Sequence, residues 1–561
     1  MASRRVVLVG WDSADWRVIT PLLDAGHLPH LERIVNGGVV GDLHTVSPTI
    51  SPSVWTTVAT GVRPIHHGVF GYFEPLSSDR ARAVTSATSR APTLWRLATD
   101  AGRSSAVIGW PATDPPTLDA PRSALRVHPE EIDADALRAF VPQLAGAMAS
   151  RDPQIVELAV CLAELSTVHA AATWRLEHEH PDFLAVRYGA FERLARRFMA
   201  YHPPRMDRVT EADFDRYSGV IATAYRYMDL MLGRLVELSG SDATIVIVSA
   251  HGFHSGDRRP QPAPGGLVDP LRWHRRQGIF CAKGPGIPAD ERVYGLTILD
   301  VAPRVLAALG IDRSHEMAMT PDAVVDAPVI EGTAARAAWR DWFRNLAIAE
   351  MEAGRFGEAA AALAPLVDDD ADDWDTLLLL ANVDLVLGRV ESCRPRAKAL
   401  VAAHGDHPAV QILAAGLAIA DRLDVPAAGH LHRAEVLAVD DPHLLCEIGA
   451  GYARLAKHDD AERAFRLALA ADPDSPGAYD GLAVIYLQEG RAEDAADAAL
   501  EAIARDYQCA NAHFHLGVAL SRAGWRLRAI RAFETYQTLK PESMDVRREL
   551  ARLHTTPDGQ P

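Results

Sequence analysis

The sequence contains few cysteines, five among 561 residues, and no Cys-x-x-Cys pair. Their wide separation predicts neither a disulfide framework nor a zinc knuckle. Unpaired thiols are typical of a reducing compartment, so we expect a cytoplasmic protein. The cysteines are Cys161, Cys281, Cys393, Cys446 and Cys509.

A surplus of basic residues is also lacking. The chain has 57 Lys and Arg against 74 Asp and Glu, a formal net charge of −17. Such a balance disfavours nucleic acid and anionic membranes as partners, so we expect neither. The apolar run before Trp11 is too short for a signal peptide, and we expect no bilayer-spanning segment elsewhere. An apolar content of 48% over this length is sufficient for two or more domains.

The second half of the sequence is repetitive. Segments of 34 residues starting at Pro442, Pro476 and Ala510 align without gaps, and weaker copies start at Arg340 and Trp374 and at residue 408. In the best copy, small and aromatic residues recur at the spacings of a tetratricopeptide repeat, which pairs two antiparallel helices. We predict six repeats over 340–543 and a capping helix with a tail over 544–561. The characteristic residues of that copy are Gly449, Tyr452, Ala461, Phe465, Ala468 and Pro473.

Such an array has no chemistry of its own. Its concave face usually binds a protein or peptide, and we favour that role here. A rigid spacer or a dimer surface is the alternative. The sequence does not identify the partner.

The first half alternates strand-like and helical patterns. This alternation predicts an α/β domain over 1–311, with a mainly parallel sheet covered by helices on both faces. A helical insertion is predicted at about 129–180, where it could cap the edge of the sheet. A Pro- and Asp-rich linker is predicted over 312–339. The strand-like runs are "RVVLVG", "SSAVIGW", "DFLAVRY", "ATIVIVSA" and "GIFCAKG".

Four motifs of the first half carry a family resemblance: "GWDSADW", "SPTISPSVWTTVATG", "HGFHSG" and "WHRRQGIF". They resemble the type I phosphodiesterase/nucleotide pyrophosphatase branch of the alkaline phosphatase superfamily, over residues 4–125 and 181–311. With the repeats, the chain is similar to bacterial members that end in tetratricopeptide repeats. The resemblance implies an alkaline-phosphatase-like α/β/α sandwich and a two-metal phosphohydrolase, usually with zinc, although manganese is possible. In such enzymes a Ser or Thr attacks phosphorus and water hydrolyses the covalent intermediate.

The resemblance also implies roles for four residues. Asp12, Ser51 and His251 match ligands of the first ion, with Ser51 as the nucleophile, and His274 matches a ligand of the second ion. Each has a structural alternative. Asp12 could cap a turn, Ser51 could cap the helix that begins at "SPSVWTT", and either histidine could be a hydrogen-bonded core residue. Thr49 is the alternative nucleophile.

Three expected ligands are missing from the motifs. Ala250 replaces the Asp of the adjacent Asp-His pair, and an ungapped alignment puts Gly189 and Arg193 at the Asp-x-x-x-His positions of the second ion. Zinc needs three or four N, O or S ligands, and a guanidinium cannot serve as one. We therefore expect weak metal binding or none.

Nearby residues are candidate substitutes. His254 and Asp257 follow the strand that ends near Ala250, and Glu192 neighbours Arg193. On a helix, however, Glu192 points about 100° away from Arg193. If Arg193 faces the site, Glu192 does not.

Three hypotheses follow from these observations. We favour a catalytically degenerate domain in which Arg193 and Arg196 bind a phosphate-containing ligand in place of a metal. The second hypothesis is an active metal-dependent phosphohydrolase that uses Ser51. The third is a pure protein-interaction scaffold.

Overall fold

The computed structural model describes residues 5–113, 152–260, 270–311, 327–369, 373–438, 441–540 and 543–555. The chain divides into two compact units, Met1–Ala353 and Gly354–Pro561. The first is a mixed α/β unit and the second is helical.

The first unit is built on a seven-stranded sheet with the order β11-β2-β10-β7-β1-β6-β5. β7 is the central strand, and β1 lies beside it and runs parallel to β6 and β7, while β10 is antiparallel to β7 and β2. All five strand-like runs of the sequence form strands of this sheet. The strands are β1 Val6–Trp11, β2 Val39–His44, β3 Phe73–Pro75, β4 Arg80–Ala83, β5 Ser105–Ile108, β6 Phe183–Tyr188, β7 Thr244–Val248, β8 Gly252–Phe253, β9 His274–Arg275, β10 Gln277–Lys283, β11 Glu291–Thr297 and β12 Val329–Glu331.

Helices cover both faces of this sheet, which confirms the predicted sandwich. Alternate residues of β1 are buried in the cores on the two sides of the sheet, because successive side chains of a strand point to opposite faces. Val7 and Val9 lie in the core beneath α1, α2, α6, α7 and α9, whereas Val6 and Leu8 lie in the core beneath α3, α5 and α10. The helices are α1 Trp16–Asp24, α2 Pro29–Asn36, α3 Ser51–Thr60, α4 Pro64–His67, α5 Leu94–Asp100, α6 Pro153–His178, α7 Ala190–Phe198, α8 Glu211–Tyr217, α9 Val220–Ser239, α10 Val301–Leu309 and α11 Thr333–Glu352.

Helix α6 is the described part of the predicted insertion, whose residues 129–151 lie outside the described ranges. It packs against the edge strand β5, against β6 and against the neighbouring helices, so this part of the insertion lies on one face of the sheet. By length and composition α6 is also able to cross a membrane, contrary to the expectation that the chain has no such segment. In this structure Leu158, Leu162 and Leu165 are buried in the core of the first unit.

The second unit consists of antiparallel helix pairs, as the 34-residue period predicts. Close helix approach depends on glycine: a Cβ atom at Gly481 would lie 2.2 Å from the ring of Phe465, and one at Gly449 would lie 2.7 Å from it. The helices are α12 Phe356–Asp369, α13 Trp374–Val386, α14 Val390–His404, α15 Pro408–Ala420, α16 Asp424–Leu437, α17 Pro442–Arg454, α18 His458–Ala471, α19 Pro476–Gln488, α20 Ala492–Arg505, α21 Ala510–Arg522, α22 Arg526–Leu539 and α23 Met544–Thr555.

Helix α11 contains the start of the predicted repeat array, yet it packs in the first unit. Asn345 Nδ2 donates to Phe70 O at 2.9 Å, and the Trp342 and Phe70 rings are 5.4 Å apart. At its end, Glu352 accepts a hydrogen bond of 2.7 Å from the backbone N–H of Ser47. The boundary between the compact units therefore falls after α11, beyond the predicted linker over 312–339.

Candidate functional site

Asp12 follows β1 directly, at the carboxyl edge of the sheet, and its side chain is fully buried. Trp55 Nε1 donates to Asp12 Oδ1 at 3.1 Å. The tryptophan reaches this position because Gly10 has no side chain: a Cβ atom there would lie 2.8 Å from the Trp55 ring. The Asp12 carboxylate is therefore in contact with helix α3, which carries Trp55.

Ser51 is the first residue of α3 and is almost completely buried. Its hydroxyl donates to Asp12 Oδ2 over a long distance of 3.5 Å. Ile50 is the N-cap residue and no side chain caps this helix, so the alternative in which Ser51 is the cap is wrong. The Ser51 hydroxyl is therefore directed at the Asp12 carboxylate and not at the backbone of α3.

Arg187 is the residue of the site that the sequence analysis missed. It lies on β6 opposite Gly10 of β1, and its guanidinium forms an ion pair with Asp12. The same Nη2 donates to Ser51 Oγ at 3.2 Å, and the guanidinium lies 5.2 Å from the centre of the Trp55 ring. A positive charge thus lies between Asp12 and Ser51, two of the three residues that match first-ion ligands. Its only sequence signal is one arginine within the otherwise apolar strand "FLAVRY".

Burial controls the protonation of the two deeply buried groups at this end of the site. It raises the pKa of Asp12 above its ordinary value, and the positive charge of Arg187 opposes that rise. Burial, aided by the neighbouring His274, lowers the pKa of His251 to about 3, so this imidazole is neutral at pH 7. Its Nδ1 lies 3.1 Å from Gly252 O, and its Nε2 lies 3.7 Å from Asp12 Oδ1 without a hydrogen-bond partner.

His274 stacks on His251 with ring centres 3.9 Å apart, so the two predicted metal-ligand histidines do meet. Both nitrogens of His274 are engaged. Nδ1 lies 3.1 Å from Thr49 O, and Nε2 lies 3.1 Å from Glu192 Oε1. The structure therefore brings together Asp12, Ser51, His251 and His274, while their chemical roles remain predictions.

Helix α7 carries Glu192 into this cluster and Arg193 away from it. Glu192 contacts His274 and pairs with Arg196, and these contacts hold the pKa of its carboxyl well below the usual range in spite of burial. Arg193 instead pairs with Glu157 at 2.9 Å and with Glu164 at 2.7 Å, both on α6. This corrects the expectation that Arg193 faces the site. The two residues are about 100° apart on the helix, so only one of them can point inward.

The other candidate substitutes are less closely placed. Asp257 lies near the buried Arg259 and acts electrostatically on it. The backbone N–H of His254 donates to Trp273 O at 2.8 Å. Their use as ligands remains a prediction.

Tyr72 lies at the outer side of the site. It is 58% exposed. Burial of the hydroxyl end and then the negative charge of Glu192 raise the pKa of Tyr72. An exposed aromatic ring therefore borders the otherwise buried polar cluster.

Comparison with known proteins agrees with this architecture. The profile of the type I phosphodiesterase/nucleotide pyrophosphatase family matches residues 6–288, and tetratricopeptide-repeat profiles match 350–417, 447–506 and 490–543. The chain belongs to the type I phosphodiesterase/nucleotide pyrophosphatase family and carries tetratricopeptide repeats after the family domain. No curated protein matches it.

Solved structures similar to part of the chain are tetratricopeptide-repeat proteins. TTC0263, a thermophilic protein of Thermus thermophilus, is 24% identical over 32% of this chain and 97% of its own, with a TM-score of 0.30. PilW, a type IV pilus biogenesis factor, is 16% identical over 37% of this chain and 96% of its own, with a TM-score of 0.31. YrrB, with an unusual peptide-binding site, is 14% identical over 34% and 98%, with a TM-score of 0.25.

The family is generally metal-dependent, but the residues of this site do not fit a two-ion centre. Arg187 contacts both Asp12 and Ser51, which the family resemblance implies as ligands of the first ion, and Ala250 has a methyl group where that resemblance implies a carboxylate. Arg193 pairs with Glu157 and Glu164 on α6. Within the described ranges, no group of three or more His, Cys, Asp or Glu side chains is arranged to hold a metal ion.

Proposed function

We propose that the first domain is a catalytically degenerate phosphodiesterase-family domain that binds a phosphate-type anion, and that the repeats dock a protein or peptide. One observation carries the proposal: the guanidinium of Arg187 contacts both Asp12 and Ser51. In the family resemblance, a group in contact with both residues would be the first metal ion. A fixed arginine charge takes its place.

An arginine in this position holds charge but does not activate the serine. Arg187 Nη2 donates to Ser51 Oγ, so it engages an oxygen lone pair that a nucleophile would use. Asp12 is a poor base for the hydroxyl because it is already paired with the guanidinium, and the Ser51–Asp12 distance is 3.5 Å. An unactivated serine hydroxyl is a weak nucleophile.

One unused donor of the site supports anion binding: Arg187 Nε is buried and has no hydrogen-bond partner. The Ser53 hydroxyl, two residues along α3 from Ser51, is also buried without a partner. Ser53 lies in the first turn of α3, a ten-residue helix whose positive end favours an anion. Arginine binds phosphate oxygens strongly and with defined geometry. Arg187 thus takes the role in anion binding that the sequence suggested for Arg193. Arg196 instead pairs with Glu192, which contacts His274.

The setting of the protein is part of the proposal. A cytoplasmic location is supported by the free thiols of all five cysteines. The net charge of −17 supports the absence of nucleic-acid and membrane partners. The resemblance of the combined architecture to bacterial proteins supports a bacterial origin.

The test is calorimetry of inorganic phosphate and of a phosphodiester with the full, chelator-stripped chain. Arg187→Met should weaken phosphate binding at least about tenfold, because a charge-assisted contact contributes about 1.5–3 kcal/mol. Arg193→Met is the matched control and should leave binding unchanged. Hydrolysis of a chromogenic phosphodiester should not exceed that of Ser51→Ala. Equal phosphate affinity in wild type and Arg187→Met would contradict the proposal.

A second candidate, an active metal-dependent hydrolase, is favoured by one observation. Asp12 Oδ1 and the unpartnered His251 Nε2 lie 3.7 Å apart, a spacing that two ligands of one cation can have. Titration with zinc and manganese separates the candidates, with His251→Ala as the control. Sub-micromolar binding that is lost in this variant, together with turnover lost in Ser51→Ala, would establish the hydrolase. Binding of neither metal nor phosphate would leave the pure scaffold.

A further inference from the structure

A groove of about 580 Å³ lies on the second unit, between α20 and α22. Helix α21 forms its floor with Leu516 and Leu520. The groove exists because the first helices of successive pairs, such as α19 and α21, pack against each other, whereas α20 and α22 make few direct contacts. It therefore lies on the side of the array where the second helices diverge, opposite the concave face on which partner binding is usually expected.

The lining of the groove is unusually apolar for an exposed surface. Leu500 is 50% exposed, Trp525 47% and Tyr507 37%, and all three line this one groove. Scattered exposed apolar residues are ordinary, but a contiguous exposed patch marks an interaction site.

The two walls carry opposite charges. Glu493 and Asp497 line the groove from α20, and Arg528 and Arg531 line it from α22. All four are exposed, and none of them forms an ion pair with another residue in the described part of the chain. Arg528 lies 4.8 Å above the Trp525 ring, which orients its charge along the groove wall.

Two arginines on another second helix, α18, form ion pairs. Arg463 pairs with Glu435 at 2.9 Å, and Arg466 pairs with Glu462 at 2.6 Å. The acidic and basic groups of the groove are thus left available for an external partner.

We propose that this groove binds one amphipathic α-helix of a partner protein. The apolar face of the partner helix covers Leu500 and Trp525. One flank of that helix presents basic residues to Glu493 and Asp497, and the other presents acidic residues to the arginines of α22. The walls are 14-residue helices of about 21 Å, so a partner helix of similar length spans the groove. This inference rests on the proposed docking function of the repeats and specifies its surface and partner class.

A helical occupant fits the groove better than an extended peptide. The lining residues of each wall recur every three or four positions, as in 493, 497 and 500, which forms ridges that interdigitate with the ridges of another helix. An extended chain would need partners for its backbone N–H and C=O groups. Helical walls satisfy their own backbone groups and offer few such partners.

The test is selection from a displayed peptide library against the full chain, followed by fluorescence anisotropy with the selected peptides. We expect amphipathic helical peptides with both acidic and basic flanks. Leu500→Asp and the double variant Arg528→Glu/Arg531→Glu should each weaken their binding at least about tenfold. Arg466→Glu on α18 is the matched control and should not change it. The double variant should gain affinity for a version of the peptide with lysine on both flanks.

Three outcomes would overturn the inference. Selected peptides that bind Leu500→Asp as well as wild type would place docking on another surface and leave the docking function intact. Self-association of the chain that Leu500→Asp abolishes would make a second copy the occupant. Enrichment of no peptide would contradict both the groove and the proposed docking function.

Discussion

Arg187→Met should lower the free energy of unfolding of the first domain by about 3–5 kcal/mol, because the substitution leaves a buried charge unpaired. Asp12 is completely buried and the Arg187 side chain is only 12% exposed. After the substitution, the carboxylate keeps only the Trp55 N–H at 3.1 Å and the Ser51 hydroxyl at 3.5 Å as donors. Methionine fills a similar volume, so the loss reports mainly the charge.

The stability of the Arg187→Met variant should change with pH in a definite direction. Burial already raises the pKa of Asp12 above its ordinary value of 3.8, and removal of the arginine raises it further. The folded state then binds a proton that the unfolded state has released. Stability is therefore lost as pH rises from 3.8 to the raised value, by about 1.4 kcal/mol per pH unit.

The assay is urea unfolding followed by tryptophan fluorescence, to which Trp55 beside Arg187 contributes. Arg193→Met is the matched control, since its ion pairs are partly exposed and should contribute at most about 1 kcal/mol. Adding Asp12→Asn to Arg187→Met should recover part of the loss. Equal losses for Arg187→Met and Arg193→Met would refute the central role given to the Asp12–Arg187 pair.

Three further predictions concern stability. Arg259→Met should cost at least about 2 kcal/mol in urea unfolding, because its guanidinium donates to backbone carbonyl groups within 199–204 that would lose their donor; an unchanged midpoint would contradict this. Burial lowers the pKa of His67 from 6.5 to about 3, so stability should fall as pH drops below 6.5, and His67→Gln should remove up to about 1.4 kcal/mol per pH unit of that slope. Equal slopes would show that His67 does not contribute. Gly481→Ala should destabilise the repeats by about 1–3 kcal/mol in thermal unfolding, because its Cβ atom would meet a phenylalanine ring at 2.2 Å. Gly477→Ala, whose nearest neighbour would be 3.8 Å away, should be tolerated.

Much of the fold was predictable because its signals are local or periodic. The apolar strands were visible as short β-branched runs, and the 34-residue period is a property of the chain that needs no structure. Strand β2 and the edge strand β11 were not predicted. The strand "VVGDLH" of β2 mixes polar and apolar residues, and β11 is mostly exposed on one face.

The candidate site was only partly predictable. Asp12, Ser51, His251 and His274 were identified from motifs, and they do converge. The missing ligand at Ala250 was also visible, because a methyl group cannot bind a metal whatever the fold around it. Arg187 was not identified, since nothing along the chain indicates that β6 pairs with β1 or that residue 187 lies opposite Gly10.

The sequence by itself determined the repeat period, five strands of the central sheet and the residue types at the motif positions, because these depend on residue type and spacing alone. Only the tertiary structure decided which charges meet. The rotation of α7 turned Glu192 inward and Arg193 outward, and the pairing of β6 with β1 put the Arg187 guanidinium between Asp12 and Ser51. Helix rotation and strand order are set by packing across the whole core, so no local pattern encodes them.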